Sequence, residues 1–346
     1  MTEHIDRSRL GFYALAGAPR SPRDLIDEIR SAEAMHLGHA FISERFNIKE
    51  AATLCGAAGA VSEAIQITTA ATNHTIRHPM VTASFASTMW RLTDGRFSLG
   101  LGRGIDRAMR AYGMTTTTTA DLEVAANLYR RLWRGETVMG HTDRAGSYPV
   151  LRLDADFDEP IPLSIVAFGP NTLELAGRAF DRVVLHTFFT DETTSRAVRT
   201  VKESAERAGR NPDDVEVWSC FATIGDHLSH DVRIKKTVGR LATYLQAYGD
   251  LMVSTNDWDP AVLAAFRADP FVSSFAGALD AKATTDELEH VATLIPDEWL
   301  APAATGSVEQ CIAAVSNQFD LGCDGVILHG ANPTELQPIV DALPAS

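Results

Sequence analysis

The chain has 346 residues, 45% hydrophobic and 22% charged, which are ordinary globular proportions, and carries a formal net charge of −14. Such an acidic surface repels nucleic acid and anionic lipid headgroups, so neither is expected as a partner. Met1 to Leu10 lack an apolar signal segment, no later apolar run reaches spanning length, and Cys55, Cys220, Cys311 and Cys323 are scattered without CxxC spacing. A cytoplasmic protein with buried, reduced cysteines and no metal site is expected.

In chain order, Leu10 to Ala16 reads as a first strand, and Ser21-Pro22 opens a helix with Leu25, Ile26, Ile29, Ala32 and Met35 at its apolar positions, ended by Gly38. His39 to Ser43 is a second strand, an Ala-rich helix follows near Lys49 to Ala64, and Ile65 to Thr72 is a third strand. Helix Pro79 to Leu92 leads through Asp94-Gly95 into strand Arg96 to Gly100, and Ala120 to Trp133 is again helical. The beat continues with Pro162 to Ala167 and Thr172 to Phe180, then Arg182 to His186 and Ser195 to Ala208, then strand Val215 to Ile224. Helix Val308 to Leu321, strand Gly325 to His329 and a short helix around Thr334 to Ala342 close the series. Eight such units predict an α/β protein, a (β/α)8 TIM barrel formed as one domain over residues 1–346.

Two insertions interrupt the beat: Thr137 to Leu153 reads as a β-hairpin, and Lys235 to Pro302 as a long helical segment where barrel enzymes roof their sites. The polar stretch Ile105 to Thr119 is either a mobile lid or an ordered hydrogen-bonding wall. Asp94-Gly95, Asp181-Arg182 and Asp324-Gly325 each precede a strand and read as turns at the bottom of the barrel.

Barrel enzymes build their sites at the C-terminal ends of the strands. That rule selects Ser43, Glu44 and Arg45; Thr72, Asn73 and His74; Gly100 to Gly104; Phe168 and Gly169; His186; and His329. The run Gly100-Leu101-Gly102-Arg103-Gly104 offers main-chain N–H groups and a guanidinium to a phosphate, against the plainer reading of a tight turn. It is not a dinucleotide fingerprint, because Ile105 and Arg107 stand where a third glycine belongs. Gly169-Pro170-Asn171 is a second candidate anion site at a helix start, against a simple proline-initiated helix. Successive strand side chains diverge, so at most one of Glu44 and Arg45 points into the barrel mouth. His74, His186 and His329 are candidate proton donors near neutral pH, or hydrogen-bonded structural groups.

The stretch Ile65 to Gly104, with Ile76-Arg77-His78-Pro79 and Asp94-Gly95-Arg96-Phe97-Ser98-Leu99-Gly100-Leu101-Gly102-Arg103-Gly104, resembles the luciferase-like family of flavin- and deazaflavin-dependent oxidoreductases. The resemblance continues through Ala167-Phe168-Gly169-Pro170 to Gly325-Val326-Ile327-Leu328-His329, and the insertion, with Asn256-Asp257-Trp258-Asp259 and Glu298-Trp299-Leu300, is similar to an actinobacterial subgroup using the deazaflavin coenzyme F420. It implies a homodimer and hydride transfer between the deazaflavin C5 and a small organic substrate. An FMN-dependent monooxygenase and a non-catalytic deazaflavin-binding protein are the alternatives.

The resemblance also implies a ring over the barrel mouth, backed by a non-proline cis peptide within Ala70 to Asn73. Ala71, Thr72 and Asn73 would then contact the cofactor, with Gly102, Arg103, Gly104, Phe168, Gly169 and Pro170 around its ring and phosphate. Glu44, His74 and His186 are the expected catalytic groups, and Arg45 and His329 the expected substrate or anion contacts. The deazaflavin sugar-phosphate dehydrogenases have an acid and a histidine where this chain has Glu44-Arg45, and a glutamate where it has Ile105. Glucose 6-phosphate oxidation by that acid/base pair is therefore not expected.

Overall fold

In chain order the strands are β1 Leu10–Tyr13, β2 His39–Ile42, β3 Gln66–Thr69, β4 Phe97–Leu101, β5 Val138–Asp143, β6 Gly146–Leu151, β7 Leu163–Val166, β8 Arg182–Val184, β9 Glu216–Gly225, β10 Ala304–Gly306 and β11 Gly325–His329. This computed structural model describes residues 5–343 other than 18, 20, 47, 154, 155 and 157. Eight strands pair in parallel as β11-β1-β2-β3-β4-β7-β8-β9, and β9 pairs back onto β11, closing a (β/α)8 barrel. Strands of a closed barrel are covered on both faces, which is why β2 and β4 are buried throughout and lack a polar alternation. Tyr13, Phe41, Ala70, Val166, Val184, Trp218, Cys220 and Ile327 pack together as a cluster inside the barrel.

Local chemistry explains the element ends. Thr118 and Asp121 form a reciprocal cap on helix Thr119–Trp133, as do Ser307 and Gln310 on helix Val308–Asp320. At the barrel bottom, Asp94 and Gly95 both take positive φ. Asp181 accepts Leu163 N–H, and Asp324 accepts Val217 N–H, each at 2.8 Å. These aspartates therefore join neighbouring strands as well as making turns.

β5 and β6 form the expected antiparallel hairpin. The helical insertion starts at His230, earlier than Lys235, and runs through helices His230–Ile234, Arg240–Asn256, Pro260–Ala268, Pro270–Ser274, Leu279–Lys282, Thr285–Ala292 and Asp297–Leu300. It has its own apolar cluster, with Trp258 stacked on Trp299 at 4.5 Å, joined to Phe188 and Ala222 of the barrel. Two elements were not expected: helix Asp106–Ala111, within what read as an irregular loop, and β10, which pairs in parallel with the end of β9. All four cysteines are buried and free. Among the described residues no helix is long and apolar enough to cross a membrane.

Candidate active site

The C-terminal ends of β1, β2, β3, β7, β8 and β11 surround a cavity of 340 Å³ that helix Arg240–Asn256 covers. Its floor and walls include Tyr13, Ser43, Arg45, Ala70, Val166, Leu185, His186, Thr187, Cys220 and His329. The helix contributes Arg240, Thr243, Tyr244, Ala247 and Tyr248, the i, i+3, i+4, i+7, i+8 positions of one face. Two irregularities bracket this face. A π-helical turn, Lys235–Gly239, precedes Arg240, and Tyr248 leaves helical geometry at φ −153°, ψ 37°.

The loop leaving β1 is fixed from three sides. Lys49 donates to the Ala14 and Leu15 carbonyls at 2.8 and 3.0 Å, Glu28 accepts Leu15 N–H at 2.7 Å, and Arg45 donates to the Gly17 carbonyl. Leu15, at φ 53°, occupies the left-handed region that a branched side chain disfavours, so this clamp holds a costly conformation at the cavity rim. Burial, followed by the nearby Arg45 charge, lowers the Lys49 pKa to about 8.

The rings around the cavity lie deep in the protein mass while bordering open space, so their surroundings govern their titration more than bulk water does. Burial lowers His186 to about 4 and His329 well below its ordinary value, leaving both neutral at pH 7. Burial raises the Tyr13 and Tyr248 phenols well above the usual value, and raises Tyr244 as well, so all three keep their protons. His186 Nδ1 lies 3.0 Å from the Thr187 carbonyl and Nε2 lies 2.9 Å from the Tyr248 hydroxyl. Since a carbonyl only accepts, Nδ1 carries the proton and Nε2 accepts from Tyr248. Phe168 packs on His186 at 4.4 Å between ring centroids.

His329 Nδ1 is shut in without a partner, which leaves Nε2 as the ring nitrogen available to the cavity. Arg240 binds Asp280 at 2.8 Å. Burial opposes its charge, but the Tyr244 and Asp280 oxygens outweigh that, and its pKa ends above the ordinary value.

Residues 8–325 match the luciferase-like monooxygenase family, most of the chain. The chain belongs to that family. It is 25% identical over 339 residues to an F420-dependent glucose-6-phosphate dehydrogenase of Amycolatopsis mediterranei (strain U-32), covering 92% of this chain and 91% of the relative. It is 24% identical over 305 residues to a 5,10-methylenetetrahydromethanopterin reductase of Methanolobus tindarius, covering 86% of each. Its fold is like that of the coenzyme F420 dependent tetrahydromethanopterin reductase from Methanopyrus kandleri, with a TM-score of 0.79 at 16% identity, over 97% of this chain and 98% of the other.

Within this luciferase-like barrel the Ala70–Ala71 peptide is cis, inside the expected window. Arg45, His186 and His329 line the cavity together, and Phe168 backs His186. Glu44 diverges from Arg45, in the loop just beyond β2. Its Oε1 accepts Ala51 N–H at 3.1 Å, and its Oε2 accepts from Thr72 Oγ1 at 3.1 Å and from Arg77 at 2.6 Å. His74 is also elsewhere: Nδ1 meets Tyr129 Oη and Nε2 meets Asp143 Oδ2, both at 2.8 Å, tying the hairpin to the barrel. Neither Glu44 nor His74 is among the residues lining the cavity.

The glycine run divides in the same way. Gly102 N–H donates to Thr72 O at 2.9 Å, and Gly102 O accepts from Asn73 Nδ2 at 2.7 Å. Ala71 O accepts Glu44 N–H at 3.2 Å. A side chain at Gly100 would meet Thr69 O, and one at Gly102 would meet the Ala71 methyl, so these two glycines serve close approach of the chain to itself. Arg103 and Gly104 are exposed; Arg103 Nε donates to Thr117 O at 3.0 Å and one of its terminal nitrogens lies 4.0 Å from Asp106. Gly169 precedes helix Pro170–Ala179, whose start has no side-chain cap. Tyr13, Arg240, Tyr244 and Tyr248 were missed: Tyr13 ends β1, while the apolar run in the sequence continues to Ala16 and hides that end, and the other three belong to an insertion whose contacts with the barrel no local pattern announces.

Proposed function

We propose that the protein is an F420-dependent oxidoreductase that transfers a hydride between the deazaflavin C5 and a small organic substrate inside the covered cavity. The observation that carries the reading is that aromatic and cationic cavity at the mouth of a luciferase-like barrel, with Ala70 in its wall. A relative named for F420 chemistry that aligns over about nine-tenths of both chains supports the choice of cofactor. The residues fit such a group: the apolar faces of Ala70 and Val166 accept a flat ring, and the uncapped start of helix Pro170–Ala179 and exposed Arg103 accept phosphate oxygens.

When bound, F420 supplies a two-electron hydride carrier. The chain positions the reactants, excludes water beneath helix Arg240–Asn256, and delivers a proton. In this reading Tyr248 is the proton donor, its hydroxyl turning from the neutral His186 Nε2 to the substrate, with His329 as a second polar contact to a substrate oxygen. Glu44 and His74 hold the wall and do not touch the reactants. At 340 Å³ the cavity is at the small end for ligand sites, and a ring against Ala70 and Val166 would take part of it, which favours a compact substrate. We carry the homodimer forward as well, with Met139 and Val150, exposed and paired across the hairpin, as candidate contacts.

Titration of the purified protein with F420 and, separately, FMN tests the cofactor. Micromolar or tighter F420 binding with much weaker FMN binding is expected. Preference for FMN would replace this reading with the monooxygenase one.

A further inference from the structure

The cations around the cavity are not equally provided for. Lys49 is held by two main-chain carbonyls, Lys236 pairs with Glu335 at 2.9 Å, and Arg240 pairs with Asp280. Arg45 donates to the Gly17 carbonyl, and among the described residues no carboxylate stands within ion-pair reach of it. It shares the cavity wall with Tyr13, Val166, Leu185 and Tyr244. Burial, and then the like charge of Arg240, lower its pKa, although a guanidinium still stays charged at neutral pH. The phenols keep their protons, so they supply no counter-charge. Asp280, which opposes the shift of Arg45, is already paired with Arg240. The two guanidinium groups therefore share one carboxylate and leave a surplus positive charge in a largely apolar chamber, a receptor for a further anion.

We propose that Arg45, supported by Arg240, binds the carboxylate of a small substrate whose apolar or aromatic body packs against Tyr13 and Tyr244. This rests on the reading of the cavity as the substrate site. One terminal nitrogen of Arg45 is committed to Gly17, and the remaining planar edge of the guanidinium matches a carboxylate in a two-point contact. A compact planar acid suits the cavity volume as well as the charge.

The test is calorimetric titration of the full-length protein, alone and saturated with F420, using benzoate and its neutral isostere benzamide. Benzoate should bind the F420-loaded protein at least about tenfold more tightly than benzamide, a difference of about 1.4 kcal/mol. Arg45→Gln should remove that preference, Arg45→Lys should retain part of it, and F420 affinity should stay within about twofold in both. Equal binding of benzoate and benzamide to the wild type would overturn the proposal without recourse to any variant. Mutual exclusion of benzoate and F420 would also overturn it, by assigning the cation to the cofactor. Benzoate preference in a protein that binds no F420 would leave the carboxylate site standing and remove the deazaflavin reading alone.

Discussion

Tyr248 donates its hydroxyl hydrogen to His186 Nε2 across 2.9 Å, at the residue where the covering helix departs from helical geometry. An unbroken helix would aim that side chain differently, so the kink and the hydrogen bond form one device. With Tyr248 as proton donor, Tyr248→Phe should reduce kcat by about 10²-fold or more while F420 affinity changes little. His186→Gln should have a smaller effect, since it changes the partner and keeps the phenol. A kcat within about threefold of wild type for Tyr248→Phe would place the proton source elsewhere.

Acid should destabilise the fold before its carboxylates titrate. His186 is held down near 4 by burial, whereas the unfolded chain protonates it near the ordinary value of 6.5. Between those values the unfolded state binds more protons, so stability falls as pH falls, by about 1–3 kcal/mol for this one group. His39 and His329 are shifted in the same direction and add to the loss. Urea unfolding at pH 7, 6 and 5 should show the decline, and His186→Gln should lessen it, leaving the part due to His39 and His329. A pH-independent midpoint across that range would contradict the assignment of neutral buried histidines.

His74 has a structural part. Replacing it by alanine removes a buried partner from Tyr129 Oη and one of the partners of Asp143, which keeps His141 and two main-chain N–H groups, and should cost about 1–3 kcal/mol of stability while F420 binding is retained. Denaturant unfolding and cofactor titration on the same variant separate the two effects, and a stable variant unable to bind F420 would return His74 to the site.

Two glycines offer opposite outcomes. A methyl at Gly100 would lie 1.7 Å from Thr69 O, so Gly100→Ala should yield little folded protein. Gly56 is in helix Ala51–Ala60 with nothing near its missing side chain, and Gly56→Ala should stabilise by about 0.5–1 kcal/mol. Thermal unfolding of both variants checks the pair.

The barrel was legible because its strands and helices announce themselves locally, through apolar runs, proline and serine helix starts, and Asp-Gly or Asp-Arg turns. All eight barrel strands fall where periodicity places them. Strand ends were less clear, since Ala14 to Ala16 and Ala70 to Thr72 continue the apolar run yet peel away from the sheet to form the cavity rim. Position at a strand end located Arg45, His186 and His329. It did not reveal direction: Glu44 and His74 satisfy the same rule, and their side chains turn to a helix start and to the hairpin. Asn256 and Trp258, prominent in the sequence, belong to packing: Asn256 binds Phe188 O at 3.0 Å and Trp258 stacks on Trp299.

The parallel pairing of β10 with β9 reaches as far as Gly225 against Gly306, so the chain leaves the barrel and returns to it at adjoining points of one strand pair. Everything between them, including Arg240, Tyr244 and Tyr248, is a cassette with a single doorway and its own apolar cluster. A change in the length of that cassette need not re-register any barrel strand. The roof of the cavity is thereby independent of barrel register, while its floor, with Arg45, His186 and His329, stays with the barrel.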